Sequence, residues 1–275
     1  MRKAYKIIGY IFLAIGALSM ILPFVYMLSL SFLPNDKILS SETLMFIPSP
    51  VTTENYEYVY KNVNILQYFI NSIFVAIATT IGQVIISSMA GYAFARFNFK
   101  FKEPLFFLIL VSMMIPPQVN IVPLFFIMKQ FSWIDSYYSL IVPGLFGGFG
   151  VFLMRQWFKS MPDDIEASAK IDGCNTFEIF YKIALPLALP AVTTLAIFTF
   201  ITTWNSFMWP LIVTNSDIMR TLPLGLANFK GSFREITDWG ALCAYSVICF
   251  IPVILVFLSG RKYFINDILN GGLKE

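Results

Sequence analysis

Six stretches of this 275-residue chain contain no charged side chain: 7–35, 62–95, 104–128, 136–154, 183–216 and 239–260. The shortest is 19 residues long, and about 20 predominantly apolar residues cross a bilayer as a helix. A Lys, Arg or Asp at mid-membrane costs about 2.5–3.5 kcal/mol on the insertion scale, so uncharged runs of this length are what lipid demands. A buried core helix can be equally apolar. However, six of them in a chain that is 57% hydrophobic and 13% charged leave too little polar surface for a soluble protein. The pattern predicts an all-α integral membrane protein, one transmembrane domain over 1–275. Its six transmembrane helices fall within 7–32, 69–95, 104–127, 136–155, 187–212 and 240–260.

The basic residues predict orientation. With the N-terminus inside, the inner segments hold 13 of the 19 Lys and Arg residues, and the outer ones hold Lys37, Lys61, Lys129, Arg220, Lys230 and Arg234. Both termini are therefore expected in the cytoplasm. The net charge of +3 is a topology signal, not the footprint of nucleic acid. Arg2, Lys3 and Lys6 before an apolar run resemble a signal peptide. The run extends past Phe32 without a small-x-small cleavage site, so an uncleaved first helix is expected. Cys174, Cys243 and Cys249 form no CxxC pair, and histidine is absent, which removes His-based triads, metal sites and proton relays.

Between the spans, 34–68 reads as an outer loop of net charge −2, and 213–238 as a second outer loop. Pro116-Pro117 should kink or break the third helix. Gly144 and Gly148 form a GxxxG pair suited to close helix packing, not a phosphate loop, because no strand precedes them. The last span is followed by a polar tail.

One segment is out of keeping with its surroundings. Residues 156–190 scatter acids and lysines among apolar positions between two uncharged spans. Ser160 is placed to cap a helix with Pro162, Asp163 and Asp164 in its first turn, running to about Ile171. Gly173 suits a left-handed end, Asn175 can cap a second helix, and Glu178 completes a capping box. That second helix presents Phe177, Phe180 and Tyr181. The segment thus reads as two short helices meeting at a glycine elbow. Ile165, Ser168, Ala169 and Asp172 share a face small enough for another protein's groove. An amphipathic helix lying at the lipid headgroups fits the periodicity equally well.

The run Ala167-Ser168-Ala169-Lys170-Ile171-Asp172-Gly173, a nine-residue gap and Ile183-Ala-Leu-Pro186 resembles the EAA signature of binding-protein-dependent ABC importer permeases. Gly91-Tyr-Ala-Phe-Ala-Arg96, Met114-Ile-Pro116, Trp204-Asn205-x-Phe207-x-Trp209-Pro210, Thr221-Leu-Pro223 and Arg261-Lys-Tyr-Phe264 are similar to the carbohydrate branch, in the manner of the second permease subunit of maltose-type importers. The resemblance implies a type I ABC importer permease core with a cytoplasmic coupling helix between helices 4 and 5, over 160–186. In that family the loop docks on the ATPase, which assigns coupling to Glu166, Ala167, Ser168, Ala169, Lys170, Asp172 and Gly173. Counting back from Gly173, the family's Glu falls on Ala167, and Glu166 stands one residue early. A one-residue shift turns a side chain about 100° around a helix.

The implied partners are a second permease subunit in a heterodimer, a cytoplasmic ATPase dimer, an extracellular solute-binding protein, membrane lipid and a carbohydrate substrate. The chain has no GxxxxGK[ST] loop, so no cofactor is expected on it and ATP would be bound by the partner. An ion-coupled secondary transporter is the alternative, but no span carries the ionisable residue such coupling wants. For the substrate path, aromatic faces and amides suit sugars. They are supplied by Trp204, Asn205 and Trp209, and by Asn71 and Gln83. Belt anchoring, capping and interhelical packing are the competing roles.

Overall fold

The structure is a computed structural model that describes the backbone of residues 2–40, 45–232 and 238–271, and the side chains of 5–38, 45–227 and 238–260. Glu42, the tail motif Arg261–Phe264 and seven of the basic residues used for orientation (Arg2, Lys3, Lys230, Arg234, Arg261, Lys262 and Lys274) fall outside the described side chains. Among the described residues every regular element is helical. The helices are α1 (Arg2–Ser31), α2 (Asn35–Ser40), α3 (Glu54–Asn62), α4 (Ile65–Arg96), α5 (Lys102–Met114), α6 (Ile121–Gln130), α7 (Tyr137–Ile141), α8 (Gly148–Ser160) and α9 (Asp163–Ile171). They continue as α10 (Thr176–Leu187), α11 (Leu189–Trp204), α12 (Met208–Val213), α13 (Leu222–Ser232) and α14 (Trp239–Gly271). Among the described residues four helical stretches are long and apolar enough to cross a membrane, and six if two sharply bent pairs each count as one span.

Both bent pairs have a covalent cause. α5 and the helix from Pro117 to Gln130 meet at 97°, where Pro116 and Pro117 remove two backbone donors. α10 and α11 meet at 76° around Ala188. Within α10, residues Ile179–Ala184 form a wider π turn just before Pro186, whose missing N–H denies the carbonyl four residues earlier its usual partner.

Several expectations need correction. The fifth helix is not continuous to 212: it stops at Trp204 and restarts as α12, because Pro210 cannot donate to the carbonyl of Ser206. The fourth does not end at Arg155 but runs to Ser160, since the guanidinium is buried and paired. It donates to Glu103 (2.7 Å) and to the Phe94 carbonyl (3.3 Å), and it lies 3.7 Å over the Phe106 ring. Ser160 therefore caps nothing: its hydroxyl donates back to Trp157, and the next helix starts at Asp163 behind Pro162. The segment 34–68 is not all loop, for it holds α2, α3 and the start of α4. Residues 213–238 hold α13, and the polar tail continues α14 to Gly271.

The chain divides into two compact units. The first comprises 1–68 and 222–252. There the Asn55 amide donates to the carbonyls of Ser31 and Leu33, both at 2.9 Å, closing the end of α1 onto α3. Tyr245 donates to the Leu222 carbonyl (3.0 Å), and Phe24 stacks on Phe250.

The second unit, 69–221 with 253–275, carries the elbow. Its α4 crosses the strand of chain 144–154 through small residues. A Cβ on Gly91 would sit 2.8 Å from the Arg155 nitrogen, and one on Gly144 2.6 Å from Thr79 Cγ2. Gly144 and Gly148 both allow close approach, but to different helices: Gly144 faces Thr79 of α4, and Gly148 faces Ile109, Ser112 and Met113 of α5, so the GxxxG pair is not a single packing face. Below this crossing Tyr92, Met154, Phe158, Ala184, Ala188 and Leu195 form an apolar cluster shared by α4, α8, α10 and α11. Asp135, in the turn before α7, accepts from the amides of Asn215 (2.9 Å) and Ser216 (3.0 Å) and from the Ser216 hydroxyl, fastening that turn to the end of α12.

Candidate functional site

The elbow is built from local chemistry. α9 opens with Asp163, Asp164 and Glu166 in its first turn, where acids favour the helix dipole. It closes with Gly173 at φ +84°, while the amide of Cys174 reaches the Ala169 carbonyl (3.0 Å) and that of Gly173 the Lys170 carbonyl (3.1 Å). This is a Schellman end, which requires the left-handed residue that glycine supplies without strain. Two residues on, the Asn175 side chain accepts from the Glu178 amide (2.9 Å), and the Glu178 carboxylate accepts from the Asn175 amide (3.0 Å). Lys182 adds an i,i+4 pair with Glu178 at 2.7 Å. Both helix ends at the elbow are therefore closed by hydrogen bonds, so the turn is a shaped corner and not a linker.

Arg96, the last residue of α4, holds the start of α9. Its guanidinium donates to the Met161 carbonyl and pairs with the Asp163 carboxylate. Its Nε lies 3.1 Å from Glu166 Oε1, an ion pair by distance whose angle falls outside hydrogen-bond geometry. Glu166 is consequently turned into the chain. Ala169 is buried as well, and Ile165 packs on the cluster under α4 and α8. The outward face is formed by Ala167, Ser168, Lys170 and Asp172, together with Ile171, which is 86% exposed. Phe177 and Tyr181 on α10 extend that surface. In the sequence Ile171 and Arg96 stand only as members of motifs, with no site role of their own; the signal available was a cation ending one uncharged run and acids opening the elbow.

The second feature is a cavity of about 460 Å³ lined by the break at Pro116-Pro117 and by the break between α11 and α12. Pro117, Gln118 and Asn120 come from the first break, and Thr203, Ser206 and Phe207 from the second. Trp209 lines it, with its indole N–H fixed on the Ser139 carbonyl (2.8 Å). The other residues named for a substrate path lie elsewhere. Trp204 is buried against Phe200 and Phe69. Asn205 is exposed at the end of α11. Asn71 is fully buried, donating to the carbonyls of Ile218 (2.6 Å) and Arg220 (2.8 Å) and accepting from Tyr137 (2.7 Å). Gln83 packs over Gly147, where α4 meets the start of α8. The structure thus brings the elbow residues together and disperses the path residues.

The chain is similar to known proteins in sequence and in fold. The chain is 34% identical to the arabinooligosaccharides transport system permease protein AraQ of Halalkalibacterium halodurans, over 97% of this chain and 95% of that one. It is 27% identical to the sn-glycerol-3-phosphate transport system permease protein UgpE of Yersinia pestis, over 98% of each. A bacterial ABC transporter involved in the import of the acidic polysaccharide alginate has a chain of the same fold, with TM-score 0.86 and 22% identity over 95% of this chain and 97% of that one. Residues 83–265, which contain the elbow and the helix breaks at Pro116-Pro117, at Ala188 and between α11 and α12, match the family described as binding-protein-dependent transport system inner membrane component. An all-helical chain with a type I importer permease core and a doubly capped elbow between its fourth and fifth spans, this protein belongs to that family of ABC transporter permeases.

Proposed function

We propose that the chain is the subunit of an ATP-driven importer through which a carbohydrate crosses a bacterial cell membrane, with both termini and the elbow in the cytoplasm. The observation that carries this reading is the rigid corner at Gly173. It exposes Ile171 and Phe177 while its root is tied by Arg96 to the end of a membrane-crossing helix. A separate ATPase dimer grips that surface, and its closure is passed through α9 and Arg96 into α4, so that this subunit and a second permease alternate between outward- and inward-open states. An extracellular solute-binding protein delivers the substrate. Work of this kind is gating and coupling, with no covalent step on the solute.

Proteoliposomes holding the complete transporter should take up an oligosaccharide only with hydrolysable ATP. A cysteine at Ile171 should crosslink to the ATPase subunit. Uptake without nucleotide, or labelling of that cysteine from the outer face of intact cells, would overturn the reading.

A further inference from the structure

The cavity at the two helix breaks holds more polar chemistry than packing requires. Thr79 lies 14 residues from one end of α4 and 17 from the other, so the cavity sits near the middle of a span about 48 Å long. Thr79 and Thr221 both line it, are 1% and 5% exposed, and have hydroxyls that meet no hydrogen-bond partner in the protein. Thr194 and Thr214 instead turn back onto their own helices, donating to Pro190 and Pro210, whereas the hydroxyls of Thr80 and Thr199 are buried without a partner away from this cavity. At membrane depth an unanswered hydroxyl is unfavourable, and of the six buried ones among the described residues Thr79 and Thr221 belong to the wall of this cavity.

Charge is missing from the same wall. None of the described residues lining the cavity is charged. Arg220, next to Thr221 in the chain, is committed to Asp217 at 2.7 Å. α12 starts on the wall, but it is six residues long and loses one free amide to Pro210. A phosphate or carboxylate entering this space would leave water for a site with no ionic partner, which is strongly unfavourable. A neutral polyol would exchange water for Thr79, Thr221, Ser206 and the Gln118 amide, with the Trp209 ring beside its C–H surface.

We propose that this cavity is a binding station for an uncharged polyhydroxylated solute, held by the Thr79 and Thr221 hydroxyls, and that it rejects phosphorylated or acidic sugars. The proposal rests on the carbohydrate-permease reading and narrows it.

The test uses the complete transporter in proteoliposomes and a radiolabelled panel. Arabino-, xylo- and malto-oligosaccharides form the neutral arm; oligogalacturonides and sn-glycerol 3-phosphate form the anionic arm. ATP-dependent uptake is expected in the neutral arm alone. Thr79→Val with Thr221→Val should lower the saturated uptake rate at least fivefold, and Thr79→Ser with Thr221→Ser, which keep the hydroxyls, should restore it. Wild-type uptake by the valine pair, or ATP-dependent uptake of an anionic probe, overturns the station and leaves the carbohydrate permease standing. Loss of activity in the serine pair as well would show that packing, not the hydroxyls, matters there. Uptake of no carbohydrate in either arm sinks the parent reading.

Discussion

Arg96 Nε and Glu166 Oε1 stand 3.1 Å apart, with side chains 8% and 12% exposed, so the acid one position ahead of the usual signature glutamate is spent within this chain. The register shift thus has a structural counterpart. Ala167 occupies the outward position, and Glu166 turns back toward α4.

Glu166→Ala should accordingly weaken ATPase association less than tenfold while destabilising the permease. Breaking a buried pair from one side costs about 3–5 kcal/mol. Arg96 would keep Asp163 and the Met161 carbonyl, which places Glu166→Ala at or below the lower end and Arg96→Ala above it. Thermal melting of the two single variants and the double variant would measure the coupling. Complete loss of ATPase binding at unchanged stability would instead make Glu166 a docking residue.

At Gly173 the constraint is the backbone, because a Cβ there would meet nothing within 4 Å while φ is +84°. Gly173→Val should add about 1–2 kcal/mol of left-handed strain and straighten the elbow. Membrane insertion should survive, and solute moved per ATP hydrolysed should fall severalfold. Gly173→Asn, which tolerates that conformation, should stay near wild type. Normal coupling in the valine variant would show that the corner is dispensable.

Gly91 presents the opposite case, a helical glycine with no room. A Cβ would come within 2.8 Å of the Arg155 nitrogen and 2.9 Å of the Met154 carbonyl carbon, both backbone atoms that can move only with α8. Gly91→Ala is expected to cost about 1–3 kcal/mol through forced separation of α4 and α8. A lower melting temperature in detergent checks this; an unchanged one would mean that the helices part freely.

The Asp135 carboxyl carries a pH dependence. Desolvation works to raise its pKa, but the Ser216 and Asn215 amides and the Ser216 hydroxyl together outweigh it and hold the value below the ordinary carboxylate range. A depressed folded pKa means that the stabilisation is present above the unfolded value, near pH 4, and is lost as pH falls through the folded value. Asp135→Asn should remove about 1–2 kcal/mol at pH 7 and flatten the acid limb of the melting-temperature profile below about pH 4. An identical acid limb in both proteins would show that this carboxylate does not fasten the turn.

Legibility followed range. The capping box of Asn175 and Glu178, the left-handed Gly173 and the break at Pro116-Pro117 are interactions within a few residues, and the sequence showed each of them. Ser160 was misread because the helix before it continues through Arg155, whose charge is answered by Glu103, 52 residues away. Asn71 read as a helix cap or a solute contact, yet its amide is engaged by carbonyls 147 and 149 residues further along. Thr79 and Thr221 drew no notice as isolated threonines, since what distinguishes them is the shared space that they line.

Charge spacing by itself determined that this chain lives in a membrane, how many uncharged runs it has to place there, and where a polar corner interrupts them. Lipid penalises a charge wherever it falls, so composition over some twenty residues is enough. Which polar groups are spent on the fold and which are left to meet a solute or a partner was decided by tertiary structure alone. A carboxylate, amide or hydroxyl is satisfied by whatever distant backbone or side chain the packing brings within about 3 Å, and no local pattern specifies that encounter.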